Sequence, residues 1–273
     1  MKKTIIIAVA LLAALSLDAQ NLTIIHFNDT HSHIDPQRSG DYKGMGGVIE
    51  QAAYIDSVRK ADGKRNVLLL HAGDFGQGTS YFTELGGNIE IDVMNAAGYD
   101  AVALGNHEFD NGTEELARRL KNLKADVVCA NYDFTGTACE GLVKPYVIIR
   151  KGGRRIGVFG LSPALQGLVA KENYAGVRFI SPLVAAKDAV DALKTQGCDA
   201  IICLSHLGWQ MPGEYNDEIL ATSTSGIDVI LGGHSHNYFE QPVSYMNSDG
   251  ESVLVQQMGK NGRYLGWVNI SFK

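Results

Sequence analysis

The chain has 273 residues, of which 45% are hydrophobic, and its 24 basic and 30 acidic residues give a formal net charge of −6. This length and composition allow one domain with a sizeable core, and no repeat or low-complexity segment is present. The acidic balance excludes a nucleic-acid polymer or an anionic membrane surface as the main partner.

The first residues have the pattern of a secretory signal peptide. Lys2 and Lys3 precede a short apolar stretch, and Ala19 supplies the small residue of a cleavage site. The stretch is shorter than the about 20 residues that a membrane-spanning helix needs, and no cysteine follows Ala19 to carry a lipid. We therefore predict a signal peptide at 1–19 and a mature domain at 20–273 without a membrane anchor, in the periplasm or secreted.

Apolar runs of strand length alternate with amphipathic helical stretches along the mature chain. The predicted strands are 22–27, 67–70, 101–104, 127–130, 146–149, 156–161, 200–204, 229–231, 253–257 and 265–272. The predicted helices are 47–60, 88–97, 113–123 and 182–195. The glycines within 151–153 predict a hairpin between two strands rather than a domain boundary. This alternation is typical of an α/β fold.

Five polar clusters directly follow predicted strands. They read HFNDTHSH (26–33), LHAGDFGQG (70–78), LGNHEFDNG (104–112), LSHLGW (204–209) and LGGHSHN (231–237). Six histidines lie in their polar parts, namely His31, His33, His107, His206, His234 and His236. In α/β sheets, ligands and catalytic groups collect at the carboxyl ends of the strands. We therefore expect the clusters to meet at one rim of the fold.

The donor spacing within these clusters suits metal ions. Asp29 and His31 are two residues apart, as are His234 and His236, so in extended backbone each pair points to one side. Carboxylate, imidazole and amide donors suit zinc, manganese or iron, and the lack of cysteine among them argues against a structural zinc site. Together the clusters offer seven strong carboxylate, imidazole and amide donors, which are too many for one ion. Two ions bridged by a carboxylate would use them all, and Asp74 is the natural bridge.

Taken in order, NDTHSH, AGDFGQG, GNHEFDNG, SHLG and GGHSHN resemble the motifs of the metallophosphatase domain of the 5'-nucleotidase family. The resemblance covers 22–273, essentially the whole mature chain. It implies a calcineurin-like four-layer αββα sandwich with two divalent metal ions at the rim. Zinc or manganese is expected, and iron, cobalt and magnesium are further candidates. Typical members carry a second, C-terminal domain that stacks the base and clamps the phosphate, whereas this chain is expected to be a stand-alone metallophosphatase domain.

The resemblance also implies a role for each site residue. The first ion takes Asp29, His31, Asp74 and His236, and the second takes Asp74, Asn106, His206 and His234. Many relatives have Gln where this chain has His236, which still supplies a donor. Asn106 also touches the phosphate, and His107 stabilises charge on the leaving-group side. Asp110 holds the His107 ring and favours its protonated form, whereas Glu108 is expected to point away as a solvated or helix-capping residue.

Three functions follow as hypotheses. The first is hydrolysis of nucleoside 5'-monophosphates or related nucleotides, by in-line attack of metal-bound hydroxide on phosphorus. The second keeps the chemistry but makes the protein a phosphodiesterase acting on 2',3'-cyclic nucleotides or nucleotide sugars. The third is the metal-binding half of a two-chain nucleotidase, completed by a separately encoded nucleotide-binding domain. Retention of every metal ligand together with His107 and Asp110 argues against the third, whereas comparing hydrolysis of AMP with that of a 2',3'-cyclic nucleotide would separate the first two.

Other conspicuous residues have simpler interpretations. We expect His26 and His71 to be packed or hydrogen-bonded within the core, while His33 is open between a substrate contact and a surface position. GMGGVIE (44–50) is interpreted as a helix entry, since it lacks the dinucleotide and P-loop patterns, and GEYNDEIL (213–220) as a solvated helix.

The cysteine pairing stays open. An exported chain can oxidise its thiols, and four cysteines allow three full pairings, but a reduced thiol is equally consistent for Cys203, which lies in an apolar strand. The four residues are Cys129, Cys139, Cys198 and Cys203.

Overall fold

A computed structural model of the chain describes residues 21–272, so the predicted signal peptide lies outside the described residues. The strands are β1 (Asn21–Phe27), β2 (Val67–His71), β3 (Ala101–Ala103), β4 (Asp126–Val128), β5 (Tyr132–Asp133), β6 (Tyr146–Lys151), β7 (Arg154–Leu161), β8 (Arg178–Phe179), β9 (Ala200–Ser205), β10 (Val229–Gly232), β11 (Val243–Met246), β12 (Ser252–Gln256) and β13 (Gly266–Ser271). The α-helices are α1 (Val48–Asp62), α2 (Ser80–Leu85), α3 (Asn88–Ala97), α4 (Gly112–Leu120), α5 (Pro182–Thr195) and α6 (Asp217–Ser223).

The strands form two large sheets and one small ribbon. The first sheet has the order β13-β1-β2-β3-β4, in which β1 to β4 are parallel and β13 is antiparallel to β1. The second has the order β11-β12-β10-β9-β7-β6, in which the four inner strands are parallel and both edge strands are antiparallel. The ribbon pairs β5 with β8.

The two sheets pack face to face, and helices cover their outer faces. Successive side chains of β1 point to opposite faces of the sheet, so both faces need an apolar partner. Leu22 and Ile24 join the core between the sheets, and Ile25 and Phe27 join the core beneath α1. Helices α1, α3 and α4 cover the first sheet, and α5 and α6 cover the second. The fold is therefore an α/β four-layer αββα sandwich, as the sequence predicts.

The predicted elements are all present, and the differences lie in short segments. Helix α2 and strands β5, β8 and β11 were not predicted. The interpretation of 213–220 as a solvated helix is wrong, since α6 begins only at Asp217, and the side chains of Asp217 and Leu220 are buried. The helix starts there because the Asn216 side chain accepts a hydrogen bond from the Ile219 N–H, as an N-cap does.

Glycines shape two of the predicted turns. Helix α1 begins directly after Gly47, which has a φ of +93° and stands so close to Pro36 that a Cβ would lie 2.8 Å from the proline Cγ. This agrees with the helix entry predicted for 44–50. Gly152 and Gly153 join the antiparallel pair β6 and β7, which is the predicted hairpin.

All four cysteines are free thiols in the structure. Burial raises the pKa of Cys129 and of Cys139 to about 11, so neither side chain is a thiolate at neutral pH. Among residues 21–272, no helix is long and apolar enough to cross a membrane.

Candidate metal centre

The five polar clusters meet at one rim of the sandwich. Those after β1, β2 and β3 belong to the first sheet, and those after β9 and β10 belong to the second. Hydrogen bonds join the two sets directly. His206 Nδ1 lies 2.7 Å from the Ala72 carbonyl oxygen, and the backbone N–H of His234 donates to an Asp29 carboxylate oxygen at 2.9 Å. The carboxyl ends of both sheets therefore form a single site.

Asp29, His31 and His236 form the first ligand group, in which one donor atom from each lies within 4.8 Å of the others. Nε2 of His236 is 3.1 Å from Nε2 of His31 and 3.3 Å from Asp29 Oδ1. The other carboxylate oxygen, Oδ2, accepts a hydrogen bond from the Asn28 side chain at 2.7 Å. Oδ1 has only a longer contact, at 3.2 Å, with the His234 N–H, so it is the oxygen better placed to share a cation with the two imidazoles.

Asp74, His206 and His234 form the second ligand group. The His206 ring is oriented by the Ala72 carbonyl, which can only accept, so Nδ1 carries a proton and Nε2 faces Asp74 Oδ2 at 3.0 Å. Burial disfavours the charged ring, but the Asp74 and Asp29 carboxylates outweigh burial and raise the pKa of His206 to about 10. The centre therefore concentrates negative charge that a bound cation would balance.

Asp74 lies between the two groups. A third donor group joins it to His31 and His107, so its carboxylate is within reach of members of both ligand groups. Its Oδ1 also accepts the backbone N–H of His107 at 2.9 Å. Asn106, the residue before His107, has a buried side-chain oxygen without a hydrogen-bond partner. A free amide oxygen beside a shared carboxylate fits a pair of divalent cations.

The backbone is unusual at these positions. Five of the seven predicted ligands have a positive φ, namely Asp29 (50°), His31 (46°), Asp74 (55°), His234 (70°) and His236 (57°). Non-glycine residues in this region cost about 1–3 kcal/mol each, and such strain clusters at functional sites. Gly105 is required by close approach, because a Cβ there would lie 2.1 Å from Asp74 Oδ1.

The expectation that Glu108 points away from the site is wrong. Its side chain is fully buried, and its carboxylate accepts four backbone N–H groups. Oε2 accepts from Asp74 at 2.9 Å and Gly105 at 2.6 Å, and Oε1 accepts from Phe75 at 2.9 Å and Gly76 at 3.1 Å. One carboxylate thus ties the loop after β2 to the loop after β3.

The sequence does contain one signal for this contact. Glu108 lies three residues after Gly105 and accepts its N–H, which is the spacing of the glutamate in a capping box. Burial and the neighbouring Asp74 raise the pKa of Glu108 to about 6, so at neutral pH it is ionised, the form in which both oxygens can only accept.

His107 and Asp110 form the predicted pair at the edge of the site. His107 Nδ1 lies 2.8 Å from Asp110 Oδ2, and both side chains are partly exposed. The hydrogen bond to Asp110 outweighs burial and raises the pKa of His107 to about 9. The ring is therefore fixed through Nδ1, and Nε2 is left for another partner.

The remaining histidines have structural partners. His26 Nε2 lies 3.0 Å from the Gln256 side-chain oxygen, and His71 Nε2 lies 3.1 Å from the Thr30 hydroxyl, as expected for buried rings. His33 Nδ1 donates to the His31 carbonyl at 2.8 Å, so it braces the backbone of a predicted ligand.

The fold and this imidazole and carboxylate centre are those of a metal-dependent phosphoric ester hydrolase. A family model described as calcineurin-like phosphoesterase matches residues 22–238. The chain belongs to the calcineurin-like phosphoesterase family.

Several of the similar proteins are described as 5'-nucleotidases. The chain is 35% identical to a Treponema pallidum (strain Nichols) protein described as "Probable 5'-nucleotidase", covering 97% of this chain and 48% of the relative. It is 33% identical to the 5'-nucleotidase of Homo sapiens, and the match covers 98% of this chain and 50% of the relative. The crystal structure of the 5'-nucleotidase precursor from Thermus thermophilus superposes with a TM-score of 0.82 at 35% identity, covering 93% of this chain and 52% of that one. The chain spans about half the length of the curated relatives it matches.

Proposed function

We propose that the protein hydrolyses nucleoside 5'-monophosphates or related nucleotides at a two-metal centre. One ion would be held by Asp29, His31, Asp74 and His236, and the other by Asp74, Asn106, His206 and His234. The observation that carries the proposal is the position of Asp74, whose carboxylate is shared between the donor groups of both sheets. Imidazole and carboxylate donors suit zinc or manganese.

When bound, such an ion pair supplies a nucleophile at neutral pH and neutralises the phosphate oxygens during in-line displacement. The protein's own residues supply position. Glu108 fixes the loop of Asp74 through backbone amides, and Ala72 fixes the ring of His206. Both contacts set donor directions before a substrate arrives, which lowers the cost of organising the site.

His107 is proposed to assist the leaving group. Asp110 holds the ring through Nδ1, so Nε2 can donate to the oxygen that leaves the phosphorus. His107 stands directly after Asn106, whose unpartnered amide oxygen we assign to the second ion. In this arrangement the phosphate would lie between the residues that would hold the ions and a proton donor.

The nucleotide specificity and the location of the protein are also proposals. The relatives named 5'-nucleotidase support a nucleotide substrate, and a separately encoded nucleotide-binding domain is proposed as a candidate partner. The two lysines and the apolar stretch at the start of the sequence support export to the periplasm or beyond.

The test measures phosphate release from AMP and ring opening of a 2',3'-cyclic nucleotide to a nucleoside monophosphate, both by the purified chain loaded with zinc or manganese. Asp74→Asn should abolish release and lower the metal content below two ions per chain. Asp92→Asn on the exposed side of α3 is the matched control and should retain both.

The outcomes separate the hypotheses. Release from AMP alone supports a nucleotidase, whereas preference for the cyclic nucleotide supports a phosphodiesterase. If the chain binds two ions and hydrolyses neither compound, the proposal of a self-sufficient nucleotidase fails.

A further inference from the structure

Tyr238 and Tyr264 form a stacked aromatic pair at the rim. Their ring centroids are 4.0 Å apart and their planes differ by 26°. Tyr264 covers one face of the Tyr238 ring, yet Tyr238 remains 47% exposed, so its other face is open to solvent. Gly259 supports the pair from behind, since a Cβ there would lie 3.5 Å from Tyr264 Cδ2. The pair is thus a supported flat surface with one free face.

The pair lies beside the first ligand group. Tyr238 is two residues after His236, so the two Cα atoms are within about 7 Å of each other. We call Met258–Tyr264 the rim segment. It is bound to the loop after β1, because the Asn261 N–H donates to the Asp29 carbonyl at 2.7 Å and the Asn28 side chain donates to the Gly259 carbonyl at 2.8 Å.

The rim segment also pairs with the residues that follow His236. Tyr238 forms an antiparallel bridge with Met258, and the Gly259 N–H donates to the Asn237 carbonyl at 2.7 Å. Both rings of the stack are therefore anchored to backbone that carries a predicted metal ligand. Their positions relative to the metal centre are fixed by hydrogen bonds on both sides.

The rim segment carries two cations. Arg263 places its guanidinium 4.1 Å from the centroid of the Tyr42 ring, and Lys260 lies three residues before it. Lys260 directly precedes Asn261, whose N–H is bonded to the Asp29 carbonyl, and Arg263 directly precedes Tyr264, so both cations lie on the segment that borders the first ligand group. In a chain with a net charge of −6, such a pair beside an aromatic surface favours an anionic aromatic ligand.

We propose that the free face of Tyr238 binds the aromatic base of a nucleotide whose phosphate lies at the metal centre, with Lys260 and Arg263 attracting the phosphate charge. This inference rests on the proposed function and names how that site holds its substrate. Stacking uses the π-face that every base has, so the surface selects nucleotides over aliphatic phosphates without strong preference among bases.

The first experiment measures KM and kcat for AMP and for ribose 5-phosphate, in metal-loaded wild type, Tyr238→Leu and Tyr238→Phe. Tyr238→Leu should raise the ratio of the two KM values, AMP over ribose 5-phosphate, about 5- to 150-fold, the equivalent of about 1–3 kcal/mol per stacked base. The kcat for AMP should stay within about threefold, because stacking acts on ground state and transition state alike. Tyr238→Phe keeps the ring and should keep the wild-type ratio. Tyr54→Leu, at a tyrosine 40% exposed on α1, is the matched control.

A second experiment does not need turnover. Calorimetric titration of the same proteins with adenosine should show binding by wild type and Tyr238→Phe and a loss of affinity of the same size in Tyr238→Leu. Equal adenosine affinity in wild type and Tyr238→Leu, or no binding by wild type, would overturn the inference even if phosphate is released from AMP. Adenosine binding that depends on Tyr238 would support it even if the protein hydrolyses neither phosphate.

Discussion

Replacing Glu108 by Gln changes one acceptor oxygen to a donor at nearly constant size. Each carboxylate oxygen accepts two backbone N–H groups, so the amide nitrogen of Gln leaves two of the four without an acceptor. An unsatisfied buried donor costs about 1–3 kcal/mol, which gives a loss of about 2–6 kcal/mol. For a domain of this size, that loss lowers Tm by roughly 5–20 °C.

The assay is thermal unfolding of the metal-loaded protein, followed by elemental analysis of metal retained after dialysis. Glu108→Gln should lose stability and also metal, since the loop of Asp74 is then held by fewer hydrogen bonds. Glu114→Gln, an exposed glutamate in the first turn of α4, makes the same chemical change without buried partners and should stay within about 0.5 kcal/mol of wild type. The reasoning is refuted if both variants have the same Tm and both retain two ions per chain.

Three further predictions concern packing, a buried acid and the metals. Gly160→Ala should cost about 3 kcal/mol in a denaturant titration, because its Cβ would lie 2.1 Å from the Val128 carbonyl oxygen, whereas Gly157→Ala meets only side-chain atoms and should cost less. Burial raises the pKa of Asp217 to about 7 from 3.8, so stability should fall by up to about 4 kcal/mol as pH rises from 4 to 7. Below pH 4 the carboxyl is protonated in both the folded and the unfolded state. Subtracting the stability-against-pH profile of Asp217→Asn from that of wild type should therefore isolate the contribution of Asp217. Parallel profiles of the two proteins would contradict the prediction. EDTA should lower the Tm of wild type and leave that of Asp74→Asn nearly unchanged, and an equal fall in both would argue against a metal bound through Asp74.

The α/β class and the meeting of the donor clusters could be predicted because both follow from short-range patterns, whereas the four-layer arrangement was implied by the resemblance to a known family. Apolar runs placed the strands, and the polar residues after them, such as Asp29 and Asp74, had to lie at the carboxyl ends of parallel strands. Neither inference required knowledge of long-range contacts. The extended backbone expected for His234 and His236 is wrong, because both residues have a positive φ and their rings join different donor groups.

The predictions that were wrong concern residues whose contacts are distant in sequence. Glu108 accepts hydrogen bonds from backbone amides 32 to 34 residues away. Because backbone amides do not differ between sequences, nothing in the sequence marks them as its partners. Asp217 was assigned to a solvated helix because its neighbours are polar, but its partner is the Ser205 hydroxyl at the end of β9. When the partners of a charged residue are distant in sequence, sequence patterns alone predict that the residue lies on the surface.

The origin of the ligands in both sheets has a consequence for assembly. Of the proposed ligands, Asp29, His31, Asp74 and Asn106 follow strands of the first sheet, and His206, His234 and His236 follow strands of the second. In the proposed centre neither half of the chain would complete a coordination sphere alone, so ion capture would report that the two halves have docked in register. A chain that docks with one strand out of place would hold its ions weakly, and the metal supply would thereby discriminate between correct and faulty copies of the same sequence.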